Sequence, residues 1–235
     1  WEKMQDLERV SIVGAGRLGT ALAHALREAG VEVEGPLRRG ELPRPGAGAV
    51  LLCVPDHAIA GVASAIPAGR PVGHCSGATT LEPLARSEAF SLHPLMTVPK
   101  GGEVDFSGAA CAVAGHPVAG VLARRLGMRP IVVGDRDRAA YHAAASIASN
   151  FLVGLEEAAL RLGSTAGLTR ADLLPLVRAT VENWARLGPQ ALTGPVTRGD
   201  TGTIARQRDA LGERVPELLP LYDAMVEVIR DEDRA

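Results

Sequence analysis

From Val10 to about Asp135 the apolar positions fall in short β-branched runs separated by alanine-rich stretches and polar turns. Seven runs stand out: RVSIVG (9–14), VEVEG (31–35), AVLLCV (49–54), PVGHCS (71–76), AFSLHP (89–94), ACAVAG (110–115) and PIVVGD (130–135). Most are continuous rather than alternating, the pattern of strands covered on both faces. With helical stretches between them, the rhythm predicts parallel strands joined by crossover helices.

After Asp135 the strand pattern stops. RAAYHAAASIASNFLVGLEEAALRLG predicts one long helix from about Arg138 to Leu162, closed by Gly163. Its Ala and Ser content permits close helix contact, which places it at the centre of a second domain. Thr169 and Asp172 have capping-box spacing for the next helix, while Pro175 leaves that boundary open. Two further helical stretches, about 201–211 and 216–231, complete the chain. The expected fold class is therefore α/β, a Rossmann-like doubly wound sheet over residues 1–136 followed by an all-helical domain over 137–235.

Of the 235 residues, 46% are hydrophobic and 22% charged, with a net charge of −2. Neither sign forms a long run, so no nucleic-acid or acidic-membrane footprint is present, and a small-molecule substrate is the expected partner. Cys53, Cys75 and Cys111 lack the spacing of a disulfide framework or zinc site and read as core thiols, so no metal is expected. The first residues lack an apolar targeting segment, and no transmembrane-length apolar run occurs; a cytoplasmic location is expected.

Gly14, Gly16 and Gly19 form G-x-G-x-x-G directly after a strand pattern and before an amphipathic helix pattern. In that context Gly14 makes the tight turn, Gly16 lets a diphosphate approach the backbone, and Gly19 lets helix and strand pack closely. The loop residues Gly14, Ala15, Gly16, Arg17, Leu18 and Gly19 are the expected cofactor cradle. Two readings exist for the ribose. Glu34 has the spacing of an NAD ribose ligand; alternatively the second strand runs on through Gly35 and delivers Arg38 and Arg39 to the 2′-phosphate of NADP. NADP(H) is the favoured cofactor. Cys53, Val54 and Pro55, where the third strand ends, are cofactor-side candidates, with Cys53 equally readable as core.

ALTGPVTRGDTGT (191–203) gathers turn residues around Thr193, Arg198, Asp200 and Thr203. Asp200 reads as the N-cap of the next helix. Arg198 is the candidate for a substrate carboxylate, through its planar fork, or else a solvated surface residue.

IVGAGRLG, LLCVPD, HCSG, SLHPLMT, YHAAASIASN and ALTGPVTRGD, in this order, resemble the short Rossmann-like proteins that carry a C-terminal domain of unknown function. These are similar to pyrroline-5-carboxylate reductase and ketopantoate reductase within the 6-phosphogluconate dehydrogenase-like superfamily. The resemblance covers nearly the whole chain. It implies an NADP-binding domain, a helical domain through which two copies form a homodimer, and a substrate cleft between the domains. HPLM also resembles the HPMAG segment of prephenate dehydrogenases, whose histidine meets the substrate hydroxyl. On that likeness His93 would stand at a strand end, with Pro94 stopping the strand, and titrate near neutrality as proton donor or acceptor; a purely structural hydrogen bond is the alternative. Related hydroxyacid dehydrogenases carry a lysine one helical turn before an asparagine. Here Asn150 is present but Ser146 replaces the lysine, leaving His93, Ser146 or His142 for the proton. Asn150 would hold a substrate oxygen or the nicotinamide carboxamide, or else join two helices. Ser76 of HCSG, with Arg198 and Thr203, completes the expected substrate contacts. Relatives tend to carry a histidine near Gln207, which this chain lacks.

The reading that follows is an NADP-dependent oxidoreductase moving a hydride between nicotinamide and a small carboxylate-bearing keto or hydroxy compound, such as a ketopantoate-like 2-oxo acid. Because an imine can arrive protonated, an imine or imino-acid reductase is the enzymatic alternative. A non-catalytic NADP(H)-binding sensor is the other.

Overall fold

All seven apolar runs form strands in one sheet: β1 (Arg9–Val13), β2 (Glu32–Leu37), β3 (Ala49–Leu52), β4 (Val72–His74), β5 (Ala89–Pro94), β6 (Ala110–Gly115) and β7 (Arg129–Val132), in the order β2-β1-β3-β4-β5-β6-β7. The structure, a computed structural model, describes residues 7–101 and 104–232. Its contacts divide the chain into two units, one ending at Ser149 and one starting at Asn150. The first unit therefore takes in residues that the sequence pattern assigned to the second, beyond the expected division at 136/137.

In the first unit the helices α1 (Arg17–Glu28), α2 (Ile59–Ser64), α3 (Val118–Arg125) and α4 (Arg138–Ser146) accompany the sheet. Strand side chains alternate between faces, and both faces are covered. Val10, Ile12, Leu51, Phe90 and Leu92 pack with α1 and α3. Val13, Val50, Leu52 and Val72 pack with Ile59 and Ala63 of α2. Each such fully buried aliphatic side chain contributes roughly 2 kcal/mol of transfer free energy, so the continuous apolar runs are the strands' reason for existing. β1 to β5 are mutually parallel, but β6 runs antiparallel to β5. The expectation of parallel strands fails there for a physical reason. Among the described residues of the connection 95–109 there is no helix, and a parallel return needs a long crossover.

The chain direction reverses its lateral course at β1, with β2 on one side and β3 on the other. Such a switch opens a crevice outside the strands' carboxyl ends. Gly14, Cys53, Cys75 and His93 lie at that edge.

The long helical stretch is interrupted. α4 gives way to a π-helical turn, Ile147–Phe151, before α5 (Leu152–Ser164). Gly163 is not its stop. Gly167, at φ +87°, takes the left-handed position, with Gly167 N–H to Ser164 C=O (3.1 Å) and Leu168 N–H to Gly163 C=O (3.0 Å) closing a Schellman motif. The second unit continues with α6 (Arg170–Leu187), α7 (Thr201–Arg214) and α8 (Leu219–Glu232). Asp172 caps α6 by accepting from the Thr169 N–H at 2.8 Å and hydroxyl at 2.6 Å. α6 runs through Pro175, so that proline marks no boundary. α7 and α8 are joined by a bidentate Arg208–Asp223 pair and by the Tyr222 hydroxyl donating to Gln207 at 2.8 Å, which gives Gln207 a structural place. Among the described residues, no helix is long and apolar enough to cross a membrane, and no cluster of metal-ligating side chains occurs.

Candidate active site

The loop after β1 is shaped by its glycines. Gly14 has φ +113°, and a Cβ there would collide with the Cys53 carbonyl oxygen and lie 3.3 Å from Val54 Cγ1. A Cβ on Gly19 would collide with the Gly14 carbonyl and reach Cys53 Cβ at 3.1 Å. Gly16 is different: a Cβ there would meet nothing within 4 Å, because its Cα faces open space. Two glycines thus let backbone pack on backbone, and the middle one leaves main chain bare. α1 starts at Arg17, and its first intrahelical bond is Thr20 N–H to Gly16 C=O (3.0 Å). The N–H groups of Arg17, Leu18 and Gly19 have no intrahelical acceptor and point from the positive end of the helix. Open main chain beside such donors fits a diphosphate. Ala15 and Arg17 are exposed and Leu18 is partly buried.

The end of β2 adjoins this loop, since Gly14 N–H donates to Leu37 C=O at 2.8 Å. β2 is one residue longer than its partner between Ser11↔Glu34 and Val13↔Leu37, the slip falling at Gly35-Pro36. Glu34 therefore lies inside the strand, three positions before its end. Its carboxylate accepts from the Ser11 hydroxyl (2.5 Å) and the Arg44 N–H (3.2 Å). Burial pushes its pKa up, but these hydrogen bonds and the charges of Arg9 and Arg44 outweigh it and hold the group below the ordinary carboxylate value. Glu34 is thus a tether. Arg38 and Arg39, both exposed, follow the strand end in a turn closed by Arg38 N–H to the Glu41 carboxylate at 2.6 Å.

Cys53 and Val54 flank Gly14 on β3's side, and Pro55 is exposed at the head of the short turn 56–58. Cys53 Sγ lies 3.6 Å from Cys75 Sγ at the end of the neighbouring strand. Cys53 is half-buried, so it both packs behind the loop and borders the edge.

Further along the same edge, the loop after β4 is tied down. Buried His74 accepts from Ser76 N–H at Nδ1 (3.2 Å) and meets Thr80 C=O through Nε2 (3.0 Å). The Ser76 hydroxyl donates to Asp56 (2.8 Å) and accepts from Thr79 N–H (2.9 Å) and Ala78 N–H (3.2 Å). A hydroxyl has one hydrogen and two lone pairs. All are spent on Asp56 and on the loop's own N–H groups, so Ser76 acts as a scaffold residue.

His93 is brought together with residues that sequence reasoning missed. On β5, Phe90 and Leu92 point into the core, so Ser91 and His93 share the opposite face. α4 lays Arg138, Tyr141 and His142, spaced i, i+3, i+4, along that face. Arg138, 1% exposed, donates to the Ser91 hydroxyl (2.6 Å) and the Ser76 carbonyl (3.2 Å); its Nε lies 3.7 Å from Asp135, an ion pair without a hydrogen bond. Tyr141 Oη lies 2.6 Å from His93 Nδ1, the rings edge-on at 89°. The His142 ring stands 6.3 Å from that of His93. The signal was in RAAYHAAAS: Arg138, Tyr141 and His142 are the large polar side chains of an alanine-rich helix, on one side of it.

The environment corrects the expected titration of His93. Burial, then the charges of His142 and Arg138, lower its pKa to about 4, so the ring is neutral near pH 7. Burial also raises Tyr141 to about 12.

The remaining candidates are divided between the two units. Ser146 closes α4, partly buried, in the first unit; Asn150 is exposed in the π turn that opens the second. A π turn alters the angular step, so the one-face spacing expected of an unbroken helix does not apply. In the second unit Arg198 is exposed, while Thr203 is engaged by Asp200, which caps α7 by accepting from the Thr203 N–H (2.9 Å) and hydroxyl (2.7 Å). Asp200 is the helix cap expected.

Comparison with known proteins agrees with this architecture. Residues 109–229 match the model of a family described as a domain of unknown function, DUF2520. A Bacteroides fragilis protein provisionally described as an NADP oxidoreductase superposes with a TM-score of 0.80 at 21% identity, over 97% of this chain and 99% of that one. A Thermotoga maritima protein superposes with a TM-score of 0.77 at 26% identity, over 96% and 98%. A 1-pyrroline-5-carboxylate reductase from Streptococcus pyogenes shares the fold at 15% identity, TM-score 0.63, over 96% and 97%. No curated protein matches the sequence.

Proposed function

The chain belongs to the DUF2520 family, and from that premise we propose that it is an NADP-dependent oxidoreductase acting on a small carboxylate-bearing carbonyl or imine compound. The observation that carries this reading is the three-glycine loop at the sheet's switch point. Gly14 and Gly19 are forced by backbone contact, while Gly16 leaves open main chain beside free helix-terminal N–H groups. That geometry suits a dinucleotide diphosphate. The similar proteins named as NADP oxidoreductase and pyrroline-5-carboxylate reductase support the same class.

When bound, the nicotinamide cofactor supplies the hydride. The residues of the chain do the rest. Gly14 to Gly19 hold the diphosphate, with Cys53, Val54 and Pro55 bordering the loop. Arg38 and Arg39 bind a 2′-phosphate as a pair of exposed guanidinium groups beyond β2, a reading supported by the engagement of Glu34 with Ser11. His93, at the carboxyl end of β5, meets the reacting group. Arg198 holds the substrate carboxylate, and Asn150 and Ser146 contribute polar contacts. Two copies pair through the helical unit, whose exposed Leu176 and Trp184 support that assembly.

Fluorescence titration of the protein with NADPH and NADH tests the reading. NADPH is expected to bind more tightly, and Arg38→Ala with Arg39→Ala to remove the preference, a loss of roughly 10- to 100-fold for charge-assisted hydrogen bonds. Equal affinities in the unaltered protein would contradict the NADP assignment. Failure of either nucleotide to bind would contradict the oxidoreductase.

A further inference from the structure

The pairing of His93 with Tyr141 decides which atom of a substrate the site can receive. We propose that the Tyr141 hydroxyl donates to His93 Nδ1 and so fixes the ring with its hydrogen on Nε2, making His93 a hydrogen-bond donor for a carbonyl oxygen and not an acceptor for a protonated imine. This rests on the oxidoreductase reading and sharpens its substrate class.

The direction of the bond follows from chemistry. A phenol is the stronger donor and an imidazole nitrogen the stronger acceptor, so in a 2.6 Å contact the O–H points at Nδ1. A neutral imidazole whose Nδ1 accepts carries its hydrogen on Nε2. Among the described residues, the hydrogen bond of the His93 ring is the one at Nδ1. Buried Gly77 packs its main chain against the Nε2 edge of the ring: a Cβ there would lie 2.9 Å from both Cε1 and Nε2 of His93 and 2.7 Å from Cδ2 of His142. The glycine of HCSG, at a backbone angle open to any residue, thus lets both rings seat against main chain, and any larger residue there would displace Nε2. A carbonyl oxygen at Nε2 accepts the hydrogen. A protonated imine, which offers only N–H, meets another donor and is disfavoured.

The surroundings hold this polarity. Burial and the neighbouring Arg138 and His142 disfavour the doubly protonated ring, and Tyr141 stays un-ionised. Tyr141 is therefore a positioning residue: it acts through His93. Arg138, anchored on Ser91 and the Ser76 carbonyl, fixes the first turn of α4 and with it the height of Tyr141 over the strand.

The test is long-range 1H–15N NMR of the full chain labelled at histidine, with His93 assigned by His93→Gln. At neutral pH the proposal expects a neutral His93 protonated at Nε2, and in Tyr141→Phe a mixture of both tautomers. A hydrogen on Nδ1 in the unaltered protein, or an unchanged tautomer in Tyr141→Phe, would overturn it. Adding 2-oxobutanoate to the NADPH-loaded protein is expected to shift the His93 Nε2–H signal, while 1-pyrroline at a pH where it is protonated leaves it in place. A shift with 1-pyrroline, or none with either probe, would overturn the carbonyl assignment. Where 2-oxobutanoate is reduced, Tyr141→Phe is expected to lower kcat about tenfold with less change in KM. Gly77→Ala is expected to abolish the 2-oxobutanoate shift while the fold persists by circular dichroism; a retained shift would count against the proposed seating of Nε2. Failure to bind NADPH at all would instead contradict the underlying oxidoreductase reading, whatever the tautomer.

Discussion

The sheet unit and the helical unit bury their apolar side chains very differently. In β1, β3 and β5, Ile12, Val50, Phe90 and Leu92 are wholly buried, and the two faces of the sheet each have their own core. In the helical unit few apolar residues are buried, Leu211, Val215 and Val226 among them, while Leu176 and Trp184 on α6 are each 66% exposed and Val153 on α5 is 62% exposed. A large exposed apolar surface of this kind marks an interaction site. The difference teaches that the first unit fills a core of its own, whereas the second leaves most of its apolar side chains at least partly exposed, the feature on which the proposed pairing of two copies rests.

That contrast can be broken at several points. The largest effects belong to the self-contained core. Phe90→Ala is expected to cost about 3–5 kcal/mol in urea unfolding while leaving the oligomeric state unchanged, and Gly14→Val, which combines a positive φ with a backbone collision, falls in the same range. A loss under about 1 kcal/mol for either would mean the loop and core are looser than described. On α6 the expectation inverts. Trp184→Glu should raise the dissociation constant of the dimer by roughly 100-fold in sedimentation experiments, in line with an interface anchor, yet change the unfolding of the monomer by less than about 0.5 kcal/mol. A monomeric unaltered protein would refute the pairing.

Acid separates the units more gently. His93 and His74 have pKa values lowered chiefly by burial. The unfolded chain therefore binds protons that the folded one refuses, and the sheet unit is expected to lose stability as pH falls from about 6.5 to about 4. In the helical unit, hydrogen bonds from Thr169 and Thr203 lower Asp172 and Asp200 from the ordinary value of 3.8, so their contribution persists until the pH drops below that value. Urea midpoints read by circular dichroism between these limits should fall for the wild type and fall less for His93→Gln; a flat profile would contradict the neutral buried ring. Asp200→Ala, which removes the cap of α7, is expected to cost about 1 kcal/mol, less than Phe90→Ala or Gly14→Val. A shift as large as that of Phe90→Ala would mean Asp200 does more than cap α7.

Much of this organisation was legible in the sequence, because it depends on local pattern. Apolar runs, most of them continuous, marked every strand of the sheet, and the tight turn read at Gly14 and the close helix–strand packing read at Gly19 match the contacts of their backbone. Thr169 with Asp172, and Asp200, were readable as caps because capping is a matter of three-residue spacing. What escaped depends on tertiary neighbours. Strand direction is not written in an apolar run, though the missing crossover before β6 was a hint. The π turn leaves no periodic trace, so Ser146 and Asn150 were placed as if on one unbroken helix. Ser76 looked available because its partner Asp56 is remote in sequence. Tyr141 and Arg138 matter only once α4 lies over Ser91 and His93, and the lowered pKa of His93 follows from that packing rather than from its residue type.

The most direct test of the account is a crystal structure of the protein grown with NADP+. The expected result is density for the diphosphate against the main chain between Gly14 and Gly19, with the 2′-phosphate at Arg38 and Arg39. Nucleotide density elsewhere, or that loop unoccupied at saturating NADP+, would contradict it.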